Sequence, residues 1–240
     1  MKLGSKKRYT LSHQSVNNFN LQVPDALSFI WQYKEIFVDE SYKFECSSAQ
    51  PTIVDCGANI GLSALYFNQQ YKNANIHCIE ADPEIAKVLA SNLEMNHVKA
   101  NIIAKAAWID DKGVVFASEG SDSGSIDSNA SQGNRIESID MKSFLESFEK
   151  IDFLKMDIEG AENIVIPHCK TALAKVDKLF LEYHSRYSEE QHLPELLEVL
   201  KSNGFHYFIK TENKRKAPFV NLHKDRAYDL QLNIYAYRKA

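Results

Sequence analysis

The apolar rhythm of the chain changes near residue 51. Before that point, residues 1 to about 23 are polar and carry no clear period. A helical stripe follows: Ala26, Leu27, Phe29, Ile30, Tyr33 and Phe37 recur at three- and four-residue steps after Pro24. Beyond residue 51, short apolar runs alternate with helical segments. Thr52 to Cys56, Asn75 to Glu80, Asn101 to Lys105, Ile151 to Asp157 and Lys178 to Tyr183 read as strands. Leu62 to Tyr71, Pro83 to Asn92 and Glu189 to Ser202 read as helices. The second opens on proline, whose missing N–H costs nothing in a first turn, and the third stops at Asn203-Gly204. Phe205 to Lys210 and Leu230 to Tyr237 close the pattern as two more strands. This alternation predicts an α/β fold, Rossmann-like, with a mostly parallel sheet covered on both faces. Residues 1–50 are expected to cap a domain that spans 51–240.

Two polar stretches interrupt the pattern. Residues 117–134, rich in Ser, Gly, Asp and Asn, read as a loop that is either a lid or a solvated connection. Its flanks, Gly113 to Phe116 and Arg135 to Ile139, are placed to pair as a hairpin. Residues 211–226 read as a second loop, and the basic run Lys210 to Lys216 either as a solvated part of it or as a contact for an acidic glycan or lipid phosphate.

Composition narrows the class. A chain of 240 residues, 44% apolar and 25% charged, buries an ordinary globular core. A net charge of −4 speaks against a nucleic-acid binder. No apolar run reaches the ~18 residues of a membrane span. The basic residues Lys2, Lys6, Lys7 and Arg8 precede a polar segment, not a secretory leader. Cys46, Cys56, Cys78 and Cys169 form no close pair, so reduced thiols in a cytoplasmic protein are expected.

The chemistry concentrates at strand ends. Gly57 and Gly61 follow the first strand and open a helix, where glycine permits unusual backbone angles and close approach of N–H groups to a ligand. The spacing is G-x-x-x-G. A dinucleotide fingerprint requires a glycine where this chain has Asn59, which disfavours a nucleotide-dependent oxidoreductase. Asp55 ends the first strand and either supports the turn or faces a cationic ligand. Glu80 ends the second strand, where an acid accepts both ribose hydroxyls. A sulfonium cofactor, S-adenosylmethionine, suits these acids.

At these residues the chain resembles the class I S-adenosylmethionine-dependent methyltransferases, and more narrowly the FkbM family. The matching pieces are Glu35-Ile36-Phe37 with Tyr42, VDCGANIG at 54–61, IEADP at 79–83 and KMDIEGAE at 155–162. The resemblance implies a seven-stranded sheet of order 3-2-1-4-5-7-6 with the last strand antiparallel. It also implies O-methylation of a hydroxyl on a sugar, glycan, glycolipid or polyketide-like product. Asp55, Gly57, Ala58, Asn59 and Gly61 would then cradle the methionine part. Glu80 would hold the ribose, with Ala81 and Asp82 beside the adenosine. Ala106 and Ala107 would line the adenine, and Trp108 would either stack there or pack in the core.

The fourth and fifth strands end at Lys155, Asp157 and Glu159 and at Glu182 and His184. Alternate residues of a strand share a face, so these five are expected to converge if the chain stays extended. His184, with a side chain that titrates near working pH, is the first choice as general base. Asp157 is then a positioning or cofactor-side acid, and Lys155 orients carboxylates or the substrate. A rival reading gives Asp157, Glu159, Glu182 and His184 to magnesium or manganese, and a third leaves them as a salt-bridged network. The helix around Trp31 closes over the cofactor or mediates a homodimer. A cofactor-binding protein without turnover is the remaining alternative.

Overall fold

The computed structural model describes residues 8–117, 125–126, 134–211, 216–221 and 228–239. Most of the proposed lid and most of the basic run lie outside the described residues. The chain opens with strands β1 (Ser12–Val16) and β2 (Phe19–Val23), an antiparallel hairpin. This corrects the expectation of a patternless segment. Asn17 and Asn18 have φ of 52° and 67°, the paired left-handed angles of a two-residue hairpin turn. Helix α1 (Ala26–Tyr33) follows, capped by the Asp25 side chain, and runs into a π-helical turn at Lys34–Val38.

The central elements then alternate: β3 (Thr52–Cys56), α2 (Leu62–Gln70), β4 (Asn75–Ile79), α3 (Pro83–Met95), β5 (Asn101–Ile103) and β6 (Ala106–Trp108). Strands β7 (Val114–Ala117), β8 (Ser125–Ile126) and β9 (Asn134–Ile136) form a small antiparallel sheet. The β7–β9 pairing is the hairpin anticipated across the polar loop. Next come β10 (Ser138–Asp140), α4 (Met141–Glu146), β11 (Phe153–Met156), α5 (Glu162–His168), β12 (Lys178–Ser185), α6 (Leu193–Ser202), β13 (His206–Thr211) and β14 (Leu230–Tyr237). Helix α6 begins four residues later than the sequence pattern suggests, with Pro194 in its first turn.

Seven strands make one sheet in the order β5-β4-β3-β11-β12-β14-β13. Numbered along the sheet's own strands, this is 3-2-1-4-5-7-6. Strand β14 runs antiparallel to both neighbours. Period-two alternation feeds two cores. Val54, Leu154, Leu179 and Leu181 point into one, with α5 and α6. Ile53, Phe153 and Phe180 point into the other, with α2 and α3. Leu21, Val23, Phe29, Tyr42 and Phe44 belong to that second core, so these side chains from the segment before β3 pack against the sheet. Phe44 stacks on Phe153 with centroids 4.8 Å apart, and Tyr42 meets Phe180 edge-on at 4.8 Å. Burying each such side chain contributes about 1.5–3 kcal/mol. Asp55 and Lys155 take the same alternation as Ile53 and Phe153, and are register partners on adjacent strands. Polar groups therefore enter this face at the carboxyl ends of β3, β11 and β12. No described helix is long and apolar enough to cross a membrane.

Candidate active site

A cavity of about 270 Å³ opens at those strand ends. The turn after β3 forms its floor. Gly57, Asn59 and Gly61 all have positive φ, at 78°, 47° and 91°. A Cβ on Gly57 would stand 1.8 Å from the Asp157 carbonyl oxygen, so only glycine lets the two strand ends meet.

The turn's N–H groups point inward. Gly57 and Ala58 both donate to the Ile79 carbonyl, at 3.0 and 3.1 Å. Asn59 N–H donates to Glu80 Oε2 at 2.8 Å, Ile60 N–H to Asn59 Oδ1 at 2.7 Å, and Gly61 N–H to the Ala58 carbonyl at 3.0 Å. This corrects the expectation that these donors face a ligand. A pyrophosphate would find them already used.

Glu80 supplies the opposite chemistry. Each carboxylate oxygen accepts one backbone N–H, from Asn59 and from Asp82 at 2.9 Å. Both oxygens keep a second acceptor position, and the side chain lies on the cavity wall. Burial pushes its carboxyl up to about 7, against the pull of the two N–H donors. An acceptor pair held in this way matches a ribose diol. Ala81, Asp82, Ala106 and Ala107 share the wall, as does Lys105, which the sequence reading missed. Asp82 also caps α3, accepting from Glu84 and Ile85 N–H. These residues fit S-adenosylmethionine and do not fit a dinucleotide. Trp108 is off the wall and packs against the core with α5 and α6.

Asp55 and Gly61 are also off the wall. Asp55 is fully buried, hydrogen-bonded by Ser63 Oγ and 3.6 Å from Lys155 Nζ. Burial raises its carboxyl above the ordinary range, opposed by Lys155 and Ser63. It supports the turn from behind the wall. Gly61 lies against Leu89 of α3.

Lys155 is only 3% exposed. Its ammonium donates to the Gly57 carbonyl at 2.9 Å and to Asp157 Oδ2 at 3.2 Å. Burial works against its charge, but Asp157 and Asp55 outweigh burial and lift its pKa. It orients carboxylates and ties the turn to β11. The extended chain does not persist beyond Met156: Glu159 has φ 58° and Gly160 φ 103°. Asp157 and Glu159 still reach the wall, with Glu182. A Cβ on Gly160 would meet nothing within 4 Å, so its glycine serves the backbone angle.

His184 shares a strand face with Glu182 yet lies behind the wall, 2% exposed. Its Nδ1 is 3.1 Å from Glu162 Oε1, and its Nε2 is 3.6 Å from Glu182 Oε1 and 3.8 Å from Glu159 Oε2. Burial disfavours the charged ring, but Glu162 and Glu182 overcome it and raise its pKa well above 6.5. The raised pKa and the ring's place behind the wall favour a positioning role over the choice of His184 as base. Asp157, Glu182 and His184 each offer an atom within 4.8 Å of the others, the rival metal set without Glu159. Glu159 accepts a hydrogen bond from Tyr228 Oη at 2.7 Å, and burial pushes its carboxyl up to about 8. Glu162 and Tyr228 were not singled out from sequence. Glu162 stands in the quoted 155–162 motif, whereas Tyr228 follows a polar stretch with no signal.

A strand order of 3-2-1-4-5-7-6 above such a turn is the S-adenosylmethionine-binding methyltransferase fold. The family model described as the Methyltransferase FkbM domain matches residues 55–207, and the chain belongs to that family. Methyltransferase sdnD of Sordaria araneosa is 42% identical over 72 residues, 30% of this chain and 28% of that protein. The match thus spans under a third of that relative's length. Two solved structures share the fold. One is M. jannaschii TYW2 in complex with AdoMet (TM-score 0.53, 13% identity, 98% of this chain and 89% of that one). The other is Methyltransferase FkbM from Methylobacillus flagellatus KT (TM-score 0.52, 19% identity, 85% of this chain and 48% of that one).

Proposed function

We propose that the protein is an S-adenosylmethionine-dependent O-methyltransferase acting on a hydroxyl of a sugar, glycolipid or related natural product. One observation carries the reading: a single cavity has Glu80, Ala106 and Ala107 on its wall together with Asp157, Glu159 and Glu182. Cofactor acceptors and proton acceptors therefore open on one space. When bound, S-adenosylmethionine supplies an electrophilic methyl group on a sulfonium.

The chain's residues do the rest. Glu80 holds the ribose hydroxyls, and the two alanines leave a smooth surface for adenine. Carboxylates near the sulfonium favour its positive charge. Aligning the acceptor oxygen in line with the methyl group supplies about 7–11 kcal/mol of the barrier. Glu159 takes the hydroxyl proton on its carboxylate, a step worth about 10²–10⁴-fold. Its elevated pKa suits a base near neutral pH, and its left-handed backbone points to a constrained functional position. His184 is a positioning residue that holds Glu159 and Glu182 from behind.

The test is mass spectrometry of glycans and lipids from cells with and without the protein, with calorimetry using S-adenosylhomocysteine. The expected result is a methyl increment on an oxygen that depends on the protein, with cofactor-product binding. A methyl found on nitrogen or carbon, or failure to bind S-adenosylhomocysteine, overturns the proposal.

A further inference from the structure

Trp31 differs from the other apolar residues of the cavity wall. Ile36, Tyr42, Leu62 and Ile79 are buried there. Trp31 is 64% exposed, and among the described residues it is the one large exposed apolar side chain on the wall. A single apolar side chain elsewhere on a surface needs no explanation, whereas one at a cavity mouth borders the space that a ligand fills.

Helix α1 holds the indole in place. Ser28, Trp31, Gln32 and Glu35 recur at three- and four-residue steps, so one face of the helix and of its π-helical extension turns to the cavity. The neighbouring face is anchored. Phe29 packs on Tyr33 with centroids 5.8 Å apart, Tyr33 stacks on Phe37 at 4.9 Å, and Phe37 meets Tyr66 of α2 edge-on at 5.4 Å. The cavity face runs from the glycine turn to the acids. At one end Ser28 and Gln32 share a small recess with Asn59 and Ile60. At the other, Glu35 Oε1 accepts at 3.5 Å from Asn233, the register partner of Glu182.

The polar groups beside the indole narrow its ligand. Lys105 is paired with Glu137 at 3.0 Å, and Lys155 with Asp157 at 3.2 Å. Ser28 Oγ donates to Asp25 Oδ2 at 2.8 Å, and Gln231 donates to Glu182. The half-buried Gln32 amide has no hydrogen bond among the described residues. An amide is neutral and both donates and accepts, as a hydroxyl does. An aromatic plate beside such an amide matches a pyranose, which has an apolar face of C–H groups and an edge of hydroxyls. The negative π-face of the indole attracts those C–H groups.

We infer that Trp31 is a specificity-determining residue for the acceptor: a pyranose ring lies flat on the indole, with its hydroxyl edge against Gln32 and its reacting hydroxyl directed into the cavity. An open-chain polyol has no such flat face and is rejected. The inference rests on the proposed methyl transfer and narrows its acceptor.

The chain has two tryptophans, and Trp108 packs in the core. Fluorescence of Trp108→Phe protein therefore reports Trp31. This protein, loaded with S-adenosylhomocysteine, is quenched with acrylamide in the presence of the methyl α-pyranosides of glucose, mannose and galactose, of sorbitol, and of phenol. Calorimetry of the unmodified chain with the same compounds keeps the test valid if the variant misfolds. At least one pyranoside is expected to bind and to cause a saturable loss of quenching, and sorbitol to do neither. Trp31→Ala is expected to weaken pyranoside binding about tenfold, and Trp31→Phe to keep most of it, with S-adenosylhomocysteine affinity within about twofold in both. Sorbitol or phenol equalling the best pyranoside, no pyranoside binding, or parental pyranoside affinity in Trp31→Ala overturns the inference. Loss of S-adenosylhomocysteine affinity in Trp31→Ala places the indole over the cofactor and overturns it too. So does quenching that falls with protein concentration alone, which places the indole between two copies. Failure of the parent to load S-adenosylhomocysteine overturns the methyl-transfer reading itself, whereas failure of the pyranosides alone leaves that reading standing.

Discussion

Glu162 meets His184 twice: its Oε1 accepts the His184 backbone N–H at 2.8 Å and lies 3.1 Å from the ring Nδ1. Oε2 accepts the Gly160 N–H at 2.8 Å. One buried carboxylate thus joins the loop after β11 to the end of β12. Removing it breaks the buried ion pair at Nδ1, at a cost of about 3–5 kcal/mol, while Glu182 and Glu159 stay near Nε2. Glu162→Ala is therefore expected to lower urea-denaturation stability by that amount. The pH sign follows from His184. Its folded pKa lies above the unfolded value of about 6.5. Its stabilisation is fully present below pH ~6.5 and lost as pH rises through the raised folded value. His184→Gln should flatten that slope, and an unchanged slope would refute a charged His184.

Glu159 carries the same sign. Its carboxyl is raised to about 8 in the folded protein from an ordinary 4.5. The folded state holds this proton more tightly, so stability falls as pH rises between those values. Activity should move the other way, with kcat/KM rising through an apparent pKa near 8 as the base ionises. Glu159→Gln is expected to lose about 10²–10⁴-fold in kcat and to reduce the stability slope, with S-adenosylhomocysteine binding retained. Full activity in this variant would move the base elsewhere.

Glu80 links cofactor affinity to pH. Its carboxyl sits at about 7, and protonation removes acceptor capacity at one oxygen. Calorimetry should show S-adenosylhomocysteine binding weaken as pH falls below that value. Glu80→Gln should weaken it by about 10–100-fold, the range for a hydrogen bond to a charged group. The variant's affinity should no longer vary across this pH range. A Glu80→Gln protein that binds as tightly as the parent would remove Glu80 from the site.

The fold was legible because its strands carry apolar runs long enough to show. Thr52–Cys56 and Leu230–Tyr237 were read to the residue. The β1–β2 hairpin was not, since only Leu21 and Val23 on it are buried and its turn rests on two asparagines in a polar stretch. The wall residues Glu80, Ala106 and Glu159 stood out as strand-end or motif residues. Their roles depend on burial and partners, which spacing does not encode. His184 looked like a base from residue type alone, and only the positions of Glu162 and Glu182 show why its pKa is raised. Asp55 stood open between supporting the turn and facing a cationic ligand, and its contacts with Ser63 and Lys155 favour the turn. Tyr228 and Gln231 come to the site from a distant segment, so no local pattern announces them, whereas Glu35 stands in the quoted Glu35-Ile36-Phe37 piece.

The two glycines at the strand ends make a controlled pair. Gly57 and Gly160 have φ of 78° and 103°, so alanine is strained at both, by ~1–2 kcal/mol. They differ in space. A Cβ at Gly57 would fall 1.8 Å from the Asp157 carbonyl oxygen, whereas one at Gly160 would meet nothing within 4 Å. Gly57→Ala must therefore separate the ends of β3 and β11, adding a further ~1–3 kcal/mol of overpacking. That movement also breaks the hold of Lys155 on the Gly57 carbonyl and on Asp157, both on the cavity wall. The expected outcome is that Gly57→Ala loses both stability and S-adenosylhomocysteine binding, while Gly160→Ala loses a smaller part of the stability and still binds. Thermal denaturation with and without S-adenosylhomocysteine checks both at once. Equal effects of the two substitutions would mean that backbone angle alone, and not the contact between strand ends, is what glycine provides at residue 57.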